Sequence, residues 1–317
     1  VEADKMDVLI VGSLAYDSIA SPLGAVENAL GGSATYAGLS CAFHRNRLGL
    51  ESIGLVGVVG SDFRQQDRAI FEKAQLDTKG IETVEGETFR WVGSYEGSMA
   101  QAITHETHLN VFEHFEPKVP VHGRTPTVTF CANLHPAIQL SVLDQSQPVR
   151  FSILDSMNLW INIAHDTLLE AMKRVDIVVI NDGEASMLAG QENVVAAAKT
   201  VQKMASIPTL VVKRGEHGVI ALHGNETIVM PSYPCPEVMD PTGCGDTFAG
   251  ALAACLASGE GDMTTEELRN ALIHATVTAS FTLEAFGTTI LEKITQEAYL
   301  QRYDAFCAIS GISIESS

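Results

Sequence analysis

A chain of 317 residues, 46% hydrophobic and 19% charged, can bury a sizeable core as one large α/β domain with an appendage. Its formal charge of −19 repels nucleic acid and anionic membranes, so an anionic ligand needs a local site rich in cations or N–H groups. The apolar runs are strand-sized rather than membrane-spanning, and six cysteines without a C-x-x-C pair argue against a zinc site or disulfide framework.

The start, VEADKMDVLIVGS, lacks the basic-then-apolar pattern of a secretion leader, so a cytoplasmic protein is expected. Short β-branched runs at 7–14, 52–60, 127–133, 150–156, 176–182 and 209–215 predict buried parallel strands. Helix-period segments at 33–47, 63–75, 136–145, 167–174 and 193–205 alternate with them, which predicts an open, doubly wound sheet. Two further helices, 247–258 and 265–285, pack late. The stretch 88–120 breaks this pattern, alternating aromatic and polar residues as a small antiparallel sheet does. That alternation puts Phe89 and Trp91 on one face and Arg90 on the other. His105, His108, Glu113 and His114 match no zinc-motif spacing and read as polar positions of an exposed sheet. No repeat or linker divides the chain, so residues 1–317 are expected to form a single domain with a lid. The lid's apolar faces exceed what one small sheet can bury, which predicts a homodimer through it.

Ligands of such sheets sit beyond the carboxyl ends of the strands, where Gly12 to Asp17, Asn133, Asp155, Asn181 to Glu184, and Lys213 to Gly215 fall. The segment DPTGCGDTFAGAL, 240–252, adds a glycine-rich turn at the start of a helix. Gly243, Cys244 and Gly245 would aim backbone N–H groups at one point, at the positive end of the helix, where an anion is favoured. Asp246 beside that cradle is either the helix N-cap or the base that takes a proton from a hydroxyl attacking a phosphoryl group, and the two roles are compatible. P-loop, G-x-G-x-x-G and G-x-S-x-G motifs are absent.

Asp240 to Asp246 resembles the D-T-x-G-A-G-D signature of the ribokinase-like, phosphofructokinase-B type carbohydrate kinases. GSLAYD, GGSATYAG (31–38), NDGE (181–184) and KRGEHG (213–218) extend the resemblance in family order. It implies a ribokinase-like α/β fold: a doubly wound, mostly parallel sheet with helices on both faces and a small antiparallel β lid formed by about 14–30 and 88–118. The implied reaction is ATP-dependent, Mg²⁺-assisted transfer of the γ-phosphoryl group to a hydroxyl of a sugar or sugar-like acceptor. Asp246 would be the general base and the amides of Gly243, Cys244 and Gly245 the anion hole, with cysteine in place of the family's alanine and its thiol close to the phosphates. Asn181 and Glu184 resemble the N-x-x-E element that helps hold magnesium and phosphates through water; a helix start is the other reading. Lys213, Arg214, Gly215 and Gly218 resemble the turn against the nucleotide, with a solvated hairpin as the alternative.

At the acceptor end the resemblance implies that Asp17 binds hydroxyls and that Gly31 and Gly32 let the acceptor approach backbone. Ser33 and Tyr36 stand where ribokinase has Lys and Asn, so ribose-type contacts do not carry over. Asn133, His135, Asp155 and Asn158 would complete a hydroxyl-rich pocket, each being equally suited to cap a helix or turn. Arg90 would reach the acceptor or a transferred phosphate, and Asp240, Thr242 and Gly287 would line a loop for a monovalent cation such as K⁺. Three alternatives stand beside the sugar kinase. They are a nucleoside kinase with Tyr36, Phe89 or Trp91 stacked on a base, a kinase of a pseudo-sugar such as acarbose, and a non-catalytic sugar-binding protein.

Overall fold

The computed structural model describes residues 6–312. Chain order begins β1 (Val8–Val11), β2 (Ala15–Ser21), β3 (Gly24–Gly31), α1 (Ser33–Leu48), β4 (Ile53–Gly60), α2 (Gln65–Lys73), β5 (Asp77–Val84), β6 (Phe89–Tyr95), β7 (Ala102–His108) and β8 (Val128–Cys131). It continues with α3 (Pro136–Gln145), β9 (Phe151–Asp155), α4 (Asn158–Ile163), α5 (His165–Met172), β10 (Ile177–Asn181), α6 (Asp182–Ala189), α7 (Val194–Met204) and β11 (Thr209–Lys213). It closes with β12 (Val219–His223), β13 (Glu226–Met230), α8 (Cys244–Ala257), α9 (Thr265–Thr282) and α10 (Gln296–Ser310).

The main sheet has nine strands in the order β13-β12-β11-β10-β9-β8-β1-β4-β5, parallel from β5 to β11 and antiparallel over the last two. Its central strands are apolar on both sides because helices cover both sides. Val8, Ile10, Leu55 and Phe130 pack with α1, α8 and α9, whereas Leu9, Val11, Val56 and Cys131 pack with α3, α5 and α7. The strand order reverses at β1, which pairs with both β4 and β8, and that opens a crevice at the carboxyl ends of the strands. Among the described residues no helix is long and apolar enough to cross a membrane.

The lid is a second sheet of four strands, β3-β2-β6-β7. Beyond β7 the strand pattern expected through 118 gives way to a 3-10 turn at Asn110–His114, because Phe112 folds back between Phe89 and Phe115 with ring centroids 5.5 and 5.7 Å away. Parallel pairing of β2 with β6 sets Tyr16 beside Arg90 and Asp17 beside Trp91, so each pair shares a face. The Asp17 side, which also carries Tyr95, is turned onto the main sheet's crevice. The outer face near β7 is polar, with His105 on the Ser94 hydroxyl (2.8 Å) and His108 on Glu106 (2.8 Å). Leu23, Ile103 and Leu109 of the lid region remain exposed.

Three elements carry no clear periodicity in the sequence: β5, β13 and α10. The start of α8 also differs from expectation. Gly243 is its N-cap, and Asp246 lies inside the first turn rather than capping it.

Candidate active site

Gly243 begins α8 at φ 74°, a left-handed conformation natural only to glycine, and a side chain there would collide with the Tyr36 ring beneath it. The tight turn uses the Cys244 amide, which donates to the Pro241 carbonyl at 3.1 Å. The amides of Gly243 and Gly245 find no backbone acceptor among the described residues, as expected for a helix N-terminus, while the Asp246 amide faces its own carboxylate. The set of free amides thus differs from the expected one, because the Cys244 amide is spent inside the turn. The Cys244 thiol donates to the Ala279 carbonyl on α9 (3.6 Å), and burial pushes its pKa up to about 12. It is turned toward α9, not into the cradle.

The Asp246 carboxylate is recessed in the crevice next to those amides. Desolvation, then the charge of Asp155, raise its pKa to about 7, with Lys213 acting in the opposite sense. A carboxylate poised near neutrality can accept a proton at physiological pH.

Beside it lie three more charged groups, from the ends of β9 and β11 and the first turn of α6. Lys213 reaches across to Asp155, Nζ to Oδ2 at 3.0 Å. Asn181 and Glu184 form a reciprocal capping box on α6: the Asn181 side chain accepts from the Glu184 amide (2.8 Å), and Glu184 accepts from the Asn181 amide (2.8 Å). The helix-start reading holds, and the other Glu184 oxygen also accepts from Asn181, Nδ2 to Oε1 at 2.7 Å, with Asp155 near enough for its charge to be felt. Burial and that neighbour raise the Glu184 pKa to about 7, and Lys213 partly offsets them. Carboxylate oxygens short of positive charge are the donors a hard divalent cation such as Mg²⁺ prefers. Gly215 and Gly218 turn the β11–β12 hairpin. The Arg214 amide closes that turn onto the Gly218 carbonyl (2.8 Å), and the Arg214 Nε is buried without a partner.

At the acceptor end the structure redistributes the expected residues. Asp17 is buried, and its carboxylate fills the space that a Gly31 side chain would take, so Gly31 admits Asp17 rather than the ligand. Burial, then the charge of Asp240, raise the Asp17 pKa to about 7, while the Gly32 amide opposes the shift. Gly32 is the N-cap of α1. The Ser33 hydroxyl is spent on Ser13, accepting from its amide at 3.0 Å while Ser13 Oγ accepts from the Ser33 amide at 3.0 Å. Tyr36, only 1% exposed and covered by Gly243, cannot stack on a base. Asn133 accepts from the Trp160 indole (2.9 Å) and donates to Met157 Sδ (3.2 Å), so it is no free hydroxyl contact. Asp155 is paired with Lys213 instead. Asn158 opens α4 on the exposed surface, and the His135 side chain caps α3.

Arg90 corrects the expectation most clearly. Its guanidinium binds Asp62 (2.7 Å) and Asn28 (2.5 Å) and lies over Tyr16, on the face of the lid opposite Asp17. Trp91 takes the crevice-side position instead.

Asp240, Thr242 and Gly287 do come together. Asp240 accepts from the amides of Thr242 (2.9 Å) and Gly287 (3.2 Å), is buried, and has no cationic side chain as partner among the described residues. The Tyr95 hydroxyl accepts from Thr242 Oγ1 at 3.2 Å, tying the lid to this loop. Sequence reasoning missed Tyr95, although its even spacing from Trp91 places both on one strand face.

An N–H cradle at a helix start, flanked by a carboxylate able to trade a proton, is equipped for phosphoryl transfer. Residues 138–294 match the model of the pfkB family carbohydrate kinases. The chain carries a domain of that family and is an ATP-dependent phosphotransferase with a ribokinase-like fold. It is 28% identical to the cytidine kinase of Thermococcus kodakarensis over 78% of this chain and 88% of that protein. Other curated relatives are longer, and the chain spans 55% of one of them. The Burkholderia thailandensis nucleoside kinase, solved in complex with inosine, superposes with a TM-score of 0.75 at 18% identity, covering 96% of this chain and 99% of that one. The ribokinase of Cryptococcus neoformans var. grubii serotype A, solved with ADP, gives 0.75 at 20% identity, covering 94% and 100%.

Proposed function

We propose that this kinase phosphorylates a ribosyl hydroxyl of a nucleoside. One observation carries the reading: Trp91 and Asp17 are cross-strand partners on the crevice side of the lid, which pairs a flat apolar surface with a carboxylate for hydroxyls. The similarity to a cytidine kinase and to a nucleoside kinase supports the same choice. A polyol pocket, by contrast, loses Asn133, Asp155 and Asn158 to other partners or to the surface.

In the reaction, Asp17 holds two hydroxyls of the acceptor and orients a third toward the cradle. Asp246 takes that hydroxyl's proton as its oxygen attacks the γ-phosphorus and the bond to ADP breaks. The amides of Gly243 and Gly245 receive the charge on the phosphoryl oxygens. Asn181 and Glu184 are the residues that would hold Mg²⁺, and the ion would supply neutralisation of the phosphate charge. Gly215 and Gly218 turn the chain alongside the nucleotide. Asp240, with the backbone around Thr242 and Gly287, offers a buried, uncompensated carboxylate that suits a monovalent cation such as K⁺. The lid closes over the acceptor and excludes water.

Two results are expected. Asp17→Ala raises the acceptor KM about ten- to a hundredfold, the 1–3 kcal/mol lost when buried partners of a charge-assisted bond go unpaired, with the KM for ATP unchanged. Trp91→Ala lowers kcat/KM for cytidine, adenosine or inosine by a comparable factor, since a stacked base contributes about 1–3 kcal/mol, and leaves any activity on ribose or fructose untouched. Kinetics on these acceptors side by side test the assignment. A higher kcat/KM for a free sugar than for every nucleoside, insensitive to Trp91→Ala, identifies a sugar kinase instead.

A further inference from the structure

We propose that Arg90 is a positioning residue for the acceptor: bound to Asp62 and Asn28 on the outer face of the lid, it sets where Asp17 and Trp91 stand over the crevice. The proposal rests on the kinase reading above and gives a part in it to a cation that does not itself reach the site.

Tyr16 and Arg90 are cross-strand neighbours on the outer face of the lid, and the next residue of each strand, Asp17 and Trp91, forms the pair on the crevice face. A strand is stiff over one residue, so whatever holds the outer pair also places the inner one. What holds it is a single segment, residues 60–67, which leaves the carboxyl end of β4 and enters α2.

Three lid strands are joined to that segment. From β6, Arg90 Nη2 donates to Asp62 Oδ2 at 2.7 Å. The other Asp62 oxygen accepts from the amide and the hydroxyl of Thr88, just before β6, at 2.7 Å each, and the Thr88 hydroxyl accepts from the Gly60 amide at 3.0 Å. From β2, the Tyr16 hydroxyl donates to Asp67 Oδ2 (2.7 Å) and accepts from the Arg64 amide (2.9 Å). From β3, Asn28 accepts from both arginines, its carbonyl from Arg64 Nη2 (3.0 Å) and its side chain from Arg90 Nη1 (2.5 Å). The two guanidinium carbons lie 4.2 Å (Arg64) and 5.5 Å (Arg90) from the centroid of the Tyr16 ring. With Arg64 also on Asp67 at 2.6 Å, the joint sets two cations against two carboxylates.

The crevice side of the lid is held more lightly. Among the described residues, Tyr95 to Thr242 is the one side-chain hydrogen bond from the lid strands to the later half of the chain. The outer joint is therefore the reference from which Asp17 and Trp91 are placed. Arg90 is its bridging member, since one planar fork spans Asp62 on the main body and Asn28 on β3, which the single ammonium of a lysine does less well. The Arg90 and Asp62 side chains are each 27% exposed, and a partly exposed ion pair contributes little to stability. Its loss should change where the lid sits rather than whether the chain folds.

Steady-state kinetics on cytidine, adenosine or inosine test this. Arg90→Met is expected to raise the acceptor KM about tenfold, a misplacement effect, while kcat at saturating acceptor stays within about threefold. The Kd of ATP, measured by calorimetry without acceptor, and the melting temperature should stay near those of the parent. Arg90→Lys should recover part of the loss. Asp62→Asn, which leaves Arg90 in place, should reproduce the rise in KM, and the double variant Arg90→Met/Asp62→Asn should be no worse than Arg90→Met, because both changes break one bond. A merely structural role would instead lower kcat and melting temperature together and leave KM alone, and that result overturns the proposal. So does an Asp62→Asn enzyme of parental KM beside an impaired Arg90→Met, which would mean that Arg90 touches the acceptor directly. An active parent whose KM ignores all three variants overturns the positioning role alone, whereas a parent that phosphorylates neither nucleoside nor sugar overturns the kinase reading and this proposal with it.

Discussion

Replacing Asp246 by asparagine is expected to lower kcat by about 10²–10⁴-fold, the range for losing a positioned base, with ATP still bound. The substitution keeps the side chain's size and, being in the first turn of α8 rather than at its cap, leaves the Gly243 turn intact. A fold defect should therefore not intrude, and melting temperature serves as the control. The pH dependence sharpens the test. Burial and the charge of Asp155 raise the Asp246 pKa to about 7, and a base must be ionised to act. Turnover of the parent should hold above that value and fall as the pH drops through it, one proton per site. In Asp246→Asn the residual rate should lose this acid limb. Near-parental turnover in the variant, or an unchanged limb, would take the proton-transfer role away from Asp246.

Gly245→Val should be nearly as damaging, at about 10²–10³-fold in kcat, the scale of one misplaced transition-state donor. The added side chain would press on Lys213 Nζ, only 2.8 Å from the position of a β-carbon, and intrude on the amide beside it. Cys244→Ala next door should leave turnover within about twofold, since the thiol bonds to α9 and the amide to Pro241. Steady-state kinetics on both variants decide the matter. If the cysteine substitution costs more than the valine, the backbone is not what receives the phosphoryl charge.

The strands of the main sheet were legible because doubly covered strands are continuous apolar runs, and those runs end close to where β1, β4 and β8 to β11 do. The local geometry at 181–184 and 243–246 was legible too, because glycine at a helix start and N-x-x-E after a strand are local patterns whose geometry follows from a few adjacent residues. The acceptor half was not. Whether Arg90 or Trp91 faces the crevice depends on the pairing of β6 with β2, and alternation within β6 fixes only that they differ. Ser33 and Asn133 were chosen as polar groups at strand ends. Their partners Ser13 and Trp160 lie 20 and 27 residues away, and no local pattern records such pairings. The weakly periodic β5 and α10 are stabilised by what they pack on, which sequence alone does not state.

The division of labour along the chain has an evolutionary consequence. Asp17, Trp91 and Tyr95, on the proposed acceptor side, all come from the first third of the sequence, whereas Asp155, Glu184, Lys213 and Asp246 come from the stretch 155–246. The two stretches pack together along α1 and α8, with Tyr36 beneath Gly243, while the lid strands reach the later part of the chain at points such as Tyr95 against Thr242 and Ala29 against Gly287. Substitutions in the lid can therefore exchange one acceptor for another while the phosphoryl-transfer apparatus stays untouched, provided those two tyrosine contacts survive. Selection can alter the choice of substrate and the chemical step almost independently, and a library confined to the lid strands would explore new acceptors without risking the chemistry.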